Sequence, residues 1–124
     1  MTLCDTNIFI SAFNGRQDTN EELRSIGYSN IAISSITVME LYQGMGNKTE
    51  LAVMKKNIHY FDVIHLSTAI SLRAIDFIER YRLSHNLQIP DAIIAATAAV
   101  SGIELFTYNF KDFDFLPGVL LYKT

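Results

Sequence analysis

The sequence predicts an α/β fold in one domain, residues 1–124: a mainly parallel five-stranded sheet flanked by helices on both faces. Three observations predict it. Short apolar runs alternate with helix-period segments along the whole 124 residues. Those runs lack the polar-apolar alternation of a half-exposed sheet, which is the pattern of parallel strands covered on both sides. No repeat, low-complexity stretch or linker divides the chain, and its length suits one domain.

The elements follow in order. Met1–Cys4 is the first apolar run and ends at Asp5. Asn7 is placed to cap a short helix over Ile8–Phe13, stopped near Gly15. Asp18–Ile26 reads as a weak second helix, and Asn30–Ile33 as a second strand. Ser34 and Ser35 are good N-caps for a helix through Val38, Leu41 and Tyr42. Thr49 opens another helix, ending near Tyr60, and Val63–His65 follows as a third strand. Ser67 caps the longest helix, in which Ile70, Ala74, Phe77, Ile78 and Tyr81 recur at spacings of three and four. Pro90 suits the first turn of the next helix. That helix, Asp91–Val100, is apolar on every side and is expected at the centre of the domain. Gly102 ends it. Glu104–Thr107 and Val119–Tyr122 are the last two strands.

Composition narrows the function classes. Ten basic and thirteen acidic residues give a net charge of −3, so a nucleic acid would have to be met by a local patch or a metal site rather than by a basic surface. No apolar stretch approaches the roughly 18 residues that span a bilayer. The N-terminus carries no leader pattern, and the single cysteine, Cys4, forms no internal disulfide, which together lead to the expectation of a cytoplasmic protein. Cys4 reads as a buried core thiol. His59, His65 and His85 lack metal-ligand spacing, and no glycine-rich phosphate loop is present. The aromatic group Phe106, Tyr108, Phe110, Phe113 and Phe115 reads as packing for the C-terminal strands, with Tyr108 also able to meet a base.

Four acidic residues are the candidates for chemistry. Asp5 closes the first strand, Glu40 lies in the helix after the second, Asp91 heads the apolar helix, and Asp112 follows the fourth strand. In a doubly wound sheet these positions move toward one end, outside the carboxyl ends of the strands. Crowded carboxylates repel unless protonated or neutralised by a cation, and an all-oxygen donor set favours Mg²⁺ or Mn²⁺ over zinc. Such an ion activates water and stabilises charge developing on phosphorus. Each acid also has a plainer use. Asp5 serves as a turn acid or helix cap, Glu40 stands three after Thr37 as in a capping box, Asp91 favours any first helical turn, and Asp112 suits a solvated turn.

Four blocks carry a resemblance. Leu3-Cys4-Asp5-Thr6-Asn7-Ile8-Phe9-Ile10, Ser35-Ile36-Thr37-Val38-Met39-Glu40-Leu41, Ile89-Pro90-Asp91-Ala92-Ile93-Ile94-Ala95-Ala96-Thr97-Ala98 and Thr107-Tyr108-Asn109-Phe110-Lys111-Asp112-Phe113 resemble, in order and interval, the signature blocks of PIN domains. The VapC-like toxins of toxin–antitoxin pairs are the nearest subgroup. The resemblance implies a Mg²⁺- or Mn²⁺-dependent endoribonuclease that cuts RNA and is held inactive by a cognate antitoxin, whose tail in relatives enters the acidic site. It implies a homodimer. It makes Asp5, Glu40 and Asp91 metal-binding acids, with Asp112 as the fourth. Asn109 stands where many relatives carry an acid, and Thr6 and Thr107 are implied to orient water or a carboxylate. The chain between the first two strands is short, so the helical clamp on substrate is expected to be reduced.

Two other readings share these residues: a PIN nuclease of RNA processing that has no antitoxin, and a PIN-like module that only binds a partner. A haloacid-type phosphatase would need a second acid where Asn7 stands, and a phosphoryl-accepting receiver would need paired acids at the first strand end. Neither pattern is present.

Overall fold

The structure, a computed structural model, describes residues 1–124. The order is β1 (Thr2–Cys4), α1 (Thr6–Phe13), α2 (Gln17–Ile26), β2 (Ile31–Ser34), α3 (Ser35–Gln43), α4 (Lys48–Ile58), β3 (Asp62–Ile64), α5 (Thr68–His85), α6 (Ile89–Ser101), β4 (Glu104–Phe106) and β5 (Leu120–Leu121). Single 3-10 turns over Tyr28–Asn30 and Phe110–Asp112 complete the chain.

All four strand pairings are parallel, and the sheet order is β3-β2-β1-β4-β5. Leu3 pairs with Ala32 on one side and Leu105 on the other, and Cys4 pairs with Phe106. Because strand side chains alternate faces, this register sorts the core into two layers. Leu3, Ala32 and Leu105 join α5 and α6 on one face, with Phe77, Ala95 and Phe113. Cys4, Ile31, Ile33 and Phe106 join α1 to α4 on the other, with Ile8, Phe9, Leu23 and Leu41. A fully buried Leu, Ile or Phe contributes roughly 1.5–3 kcal/mol, so both layers are needed to hold a sheet whose strands are only two to four residues long.

The helix limits follow from their caps, and two differ from the sequence reading. Ser34 and Ser67 cap α3 and α5 as expected, accepting from the N–H of Ile36 and Ile70. Asp5, not Asn7, caps α1, because its carboxylate accepts from the Thr6 N–H at 2.8 Å. Asn47, not Thr49, caps α4, accepting from the Glu50 N–H at 2.9 Å. In each case the cap stands two residues earlier, where the backbone is still extended. Asn86 and Gly102 end α5 and α6 in the left-handed conformation, at φ 55 and 68. Helix α6 is central through Ala92 and Ile94–Ala98, but Ile89 and Val100 at its ends are exposed. The aromatic group divides between layers. Phe106 packs edge-on to Tyr108 on one face, whereas Phe113 lies in the other core and Phe115 stacks on His85.

Helix α2 is held differently from its neighbours. It buries only Thr19 and Leu23. The Tyr108 hydroxyl bonds to Thr19 and the Tyr122 hydroxyl donates to Glu22, so side chains from the C-terminal segment fasten it. Gly15 and Gly27 flank it at φ 84 and 92.

Candidate active site

The chain runs from β1 outward to β2 and β3, then returns to place β4 on the other side of β1. The crevice at the carboxyl ends of β1 and β4 is therefore the topological switch point, where ligands gather in open parallel sheets. Asp5 follows β1 directly, and Thr107 follows β4.

Asp5 is 4% exposed. Its two oxygens have separate partners. Oδ1 accepts from the Thr6 N–H, and Oδ2 accepts from Thr107 Oγ1 at 2.9 Å. Thr107 Oγ1 in turn accepts from the Asn109 N–H at 3.0 Å. The Asp5 N–H donates to the Phe106 carbonyl at 2.9 Å, extending the β1–β4 pairing to the residue that carries the carboxylate. The cap and the candidate ligand are thus one side chain in one rotamer.

A second line of contacts enters from α3. Thr6 Oγ1 donates to Glu40 Oε1 at 2.8 Å and lies 2.9 Å from Thr37 Oγ1. Thr37 and Glu40 are three apart on α3, so they share a helix face. Ser34 supplies the N-cap, so Thr37 and Glu40 do not form a capping box. Glu40 reaches across to α1 instead. Thr37, wholly buried, is the site residue that sequence reasoning missed. The available signal was a threonine on the same face as the candidate acid.

Asp91 stands in the first turn of α6, partly buried. Asp112 is exposed on the 3-10 turn after β4, which its N–H closes by donating to the Asn109 carbonyl at 3.0 Å. Neither acid hydrogen bonds to Asp5 or Glu40, but all four share one electrostatic field. Burial, then the charges of Asp5, Asp112 and Glu40, push Asp91 up to about 6. Burial raises Asp5 above the usual carboxylate range; the bonds from Thr107 and Thr6 oppose the rise, and Glu40 and Asp112 add to it. Every charge acting on these two acids is another carboxylate.

The donor chemistry fits a hard divalent cation: oxygens only, several of them anionic, with no protein cation to neutralise them. No three acidic, histidine or cysteine side chains are already drawn together as a metal cage. Like charges brought closer without a counter-ion would destabilise one another.

Around this centre, the Arg16 guanidinium lies 4.8 Å from the centroid of the half-exposed Tyr108 ring and also pairs with Asp18. Cys4, next to Asp5, is buried, and desolvation pushes its thiol far up.

Known proteins resemble the chain in sequence and in fold. Over 115 residues the chain is 33% identical to Ribonuclease VapC10 of Mycobacterium tuberculosis, covering 91% of this chain and 86% of the relative. It is 27% identical over 122 residues to the tRNA(fMet)-specific endonuclease VapC of Salmonella typhimurium, covering 94% and 92%. Among solved structures it superposes on a toxin–antitoxin complex from Klebsiella pneumoniae with a TM-score of 0.82, at 35% identity over 100% of both chains. It also superposes on DNA-bound VapBC from Salmonella typhimurium with a TM-score of 0.83, at 25% identity over 98% and 96%. The PIN domain family pattern matches residues 2–116. With the family pattern spanning nearly the whole chain and the relatives sharing its fold, this chain belongs to the PIN domain family.

Proposed function

We propose that the chain is a metal-dependent endoribonuclease that hydrolyses RNA phosphodiester bonds and acts as the toxin of a toxin–antitoxin pair. The observation that carries this reading is the set of four mutually repelling carboxylates at the switch point, with no cation of the protein to offset them. Relatives named ribonuclease and endonuclease support the reaction, and a relative solved as a toxin–antitoxin complex supports the pairing with an antitoxin.

Asp5, Glu40, Asp91 and Asp112 would hold Mg²⁺ or Mn²⁺. When bound, such an ion lowers the pKa of a coordinated water and offsets charge on the phosphoryl oxygens. The protein's own groups do the positioning. Thr107 and the Thr6 N–H fix both oxygens of Asp5, and Thr6 holds one oxygen of Glu40. Asn109 supplies a neutral side chain beside Asp112, so the net charge facing an RNA phosphate is one unit less negative than an acid there would make it. The exposed apolar residues Leu72, Ile75 and Leu83 on α5 and Ile89 on α6 suit a homodimer interface. An RNA substrate is consistent with work in the cytoplasm.

The test is to induce wild-type protein and Asp5→Asn in separate bacterial cultures and map new RNA 5′ ends. Discrete new ends with growth arrest, in the wild type alone, are expected. Soluble, folded wild-type protein that makes no new ends, even with Mn²⁺ added to the purified protein and total RNA, would overturn the reading. Cleavage unaffected by co-expression of any small protein from an adjoining reading frame would leave a nuclease and remove the antitoxin.

A further inference from the structure

We propose that Thr37 is a positioning residue that acts through Thr6 to aim the Glu40 carboxylate, so that three side chains from two helices work as one directional relay. The proposal rests on the nuclease reading above and adds a residue to it.

Proton counting sets the direction. A carboxylate only accepts, so the bond between Thr6 Oγ1 and Glu40 Oε1 uses the single hydroxyl proton of Thr6. The contact between Thr6 Oγ1 and Thr37 Oγ1, 2.9 Å long, then has only one proton left to make it, and that proton belongs to Thr37. The order is Thr37 O–H to Thr6 O–H to Glu40.

The surroundings of Thr37 give the hydroxyl no alternative. Threonines within helices commonly return their proton to a backbone carbonyl one turn back. Thr97 does so, donating to the Ile93 carbonyl at 2.7 Å. Thr37 makes no such bond, and Thr6 is its one side-chain partner in the structure. Thr37 is 0% exposed, so no solvent competes for the proton. A hydroxyl buried without another partner would carry a desolvation penalty, and its place beneath Thr6 is what relieves it. β-branching restricts the χ1 rotation of Thr37, and complete burial further limits where its hydroxyl can turn. The relay thus orients the Thr6 proton toward Glu40 instead of leaving that hydroxyl free to rotate. Glu40 is the one candidate ligand carried on α3, and its side chain has three rotatable bonds, so it gains most from being aimed.

The test compares wild type with Thr37→Val, Thr37→Ser, Thr6→Val and the Thr6→Val/Thr37→Val double variant. Two quantities are measured: Mn²⁺ affinity of the RNA-free protein by calorimetry, and single-turnover cleavage of a target found by 5′-end mapping. Circular dichroism melts show that each variant folds. Thr37→Val is expected to slow cleavage about five- to tenfold, the worth of one neutral hydrogen bond, and to weaken Mn²⁺ binding severalfold, with KM for RNA unchanged. Thr37→Ser keeps the hydroxyl and is expected to recover most of both losses. In the Thr6→Val background, Thr37→Val should cost nothing further, since the link is already cut. Additive losses in the double variant, or a serine variant as impaired as valine, would overturn the relay. Thr6→Val with wild-type rate and Mn²⁺ affinity would overturn it too, even if Thr37→Val failed to fold. Wild-type protein that neither binds Mn²⁺ nor cuts RNA would instead overturn the nuclease reading, and the assigned role with it.

Discussion

Asparagine at position 91 should make the metal-free protein more stable while abolishing its cleavage of RNA. The rise of Asp91 from 3.8 to about 6 corresponds to about 3 kcal/mol at roughly 1.36 kcal/mol per pH unit. Asp91 is partly open to solvent, so screening cuts this to about 1–2 kcal/mol. An opposing effect must be subtracted. Asp91 lies in the first turn of α6, where the helix dipole favours a negative charge by about 0.3–1 kcal/mol. Burial together with the repulsion outweighs the dipole, and the net gain for Asp91→Asn is about 1 kcal/mol, or about 4 °C in Tm for a chain of this size. The sign with pH follows from linkage. A raised folded-state pKa makes wild-type stability fall as pH rises from about 4 through 6, and the penalty is complete above that. Asp91→Asn should therefore exceed wild type at pH 8 in EDTA and lose the advantage at pH 4. Excess Mn²⁺ should reverse the order at pH 8, since binding stabilises only the protein that retains the ligand. Thermal melts at two pH values, with EDTA and with Mn²⁺, decide it. A lower Tm for Asp91→Asn at pH 8 in EDTA would show that the carboxylate is compensated by something other than a metal, and would refute the argument.

Three further outcomes follow from the geometry. Thr107→Val leaves Asp5 Oδ2 and the Asn109 N–H without their partner and should cost about 1–3 kcal/mol in urea denaturation, with cleavage lost as Asp5 is freed. Gly102→Ala meets no atom within 4 Å, so its cost is that of the left-handed backbone alone, about 1–2 kcal/mol; Gly102→Asn should recover part of it in the same melt. Cys4 should resist a thiol reagent such as DTNB in the native state and react at once in urea, because it is fully buried and its thiolate is disfavoured.

What was legible in the sequence was whatever a short window encodes. Apolar runs marked the strands, Ser34 and Ser67 marked helix starts, Gly102 marked an end, and Asp5 and Asp91 marked the end of β1 and the first turn of α6. What was hidden depends on separation. Thr37 meets Thr6 across 31 residues, and Tyr108 meets Thr19 across 89, and no local period encodes such pairs. Asn7 and Thr49 were plausible caps by type, but Asp5 and Asn47 hold the extended backbone that a cap needs. The aromatic group looked like one cluster because its members are near in sequence. The turn after β4 sends Phe106 and Phe113 to opposite faces of the sheet.

The bond between Asp5 and Thr107 joins residues 102 positions apart, and this has a bearing on synthesis. A ribosome adds about 5–20 residues per second, so Asp5 waits roughly 5–20 s for its partner to be made. Through that interval β1 has β2 on one edge, but its other edge awaits β4. A chain interrupted before Thr107 lacks Asp112 as well, and α2 lacks both tyrosines that fasten it. An unfinished product therefore carries three of the four acids in an unclosed sheet, and the set of four is present only once nearly the whole chain has been made.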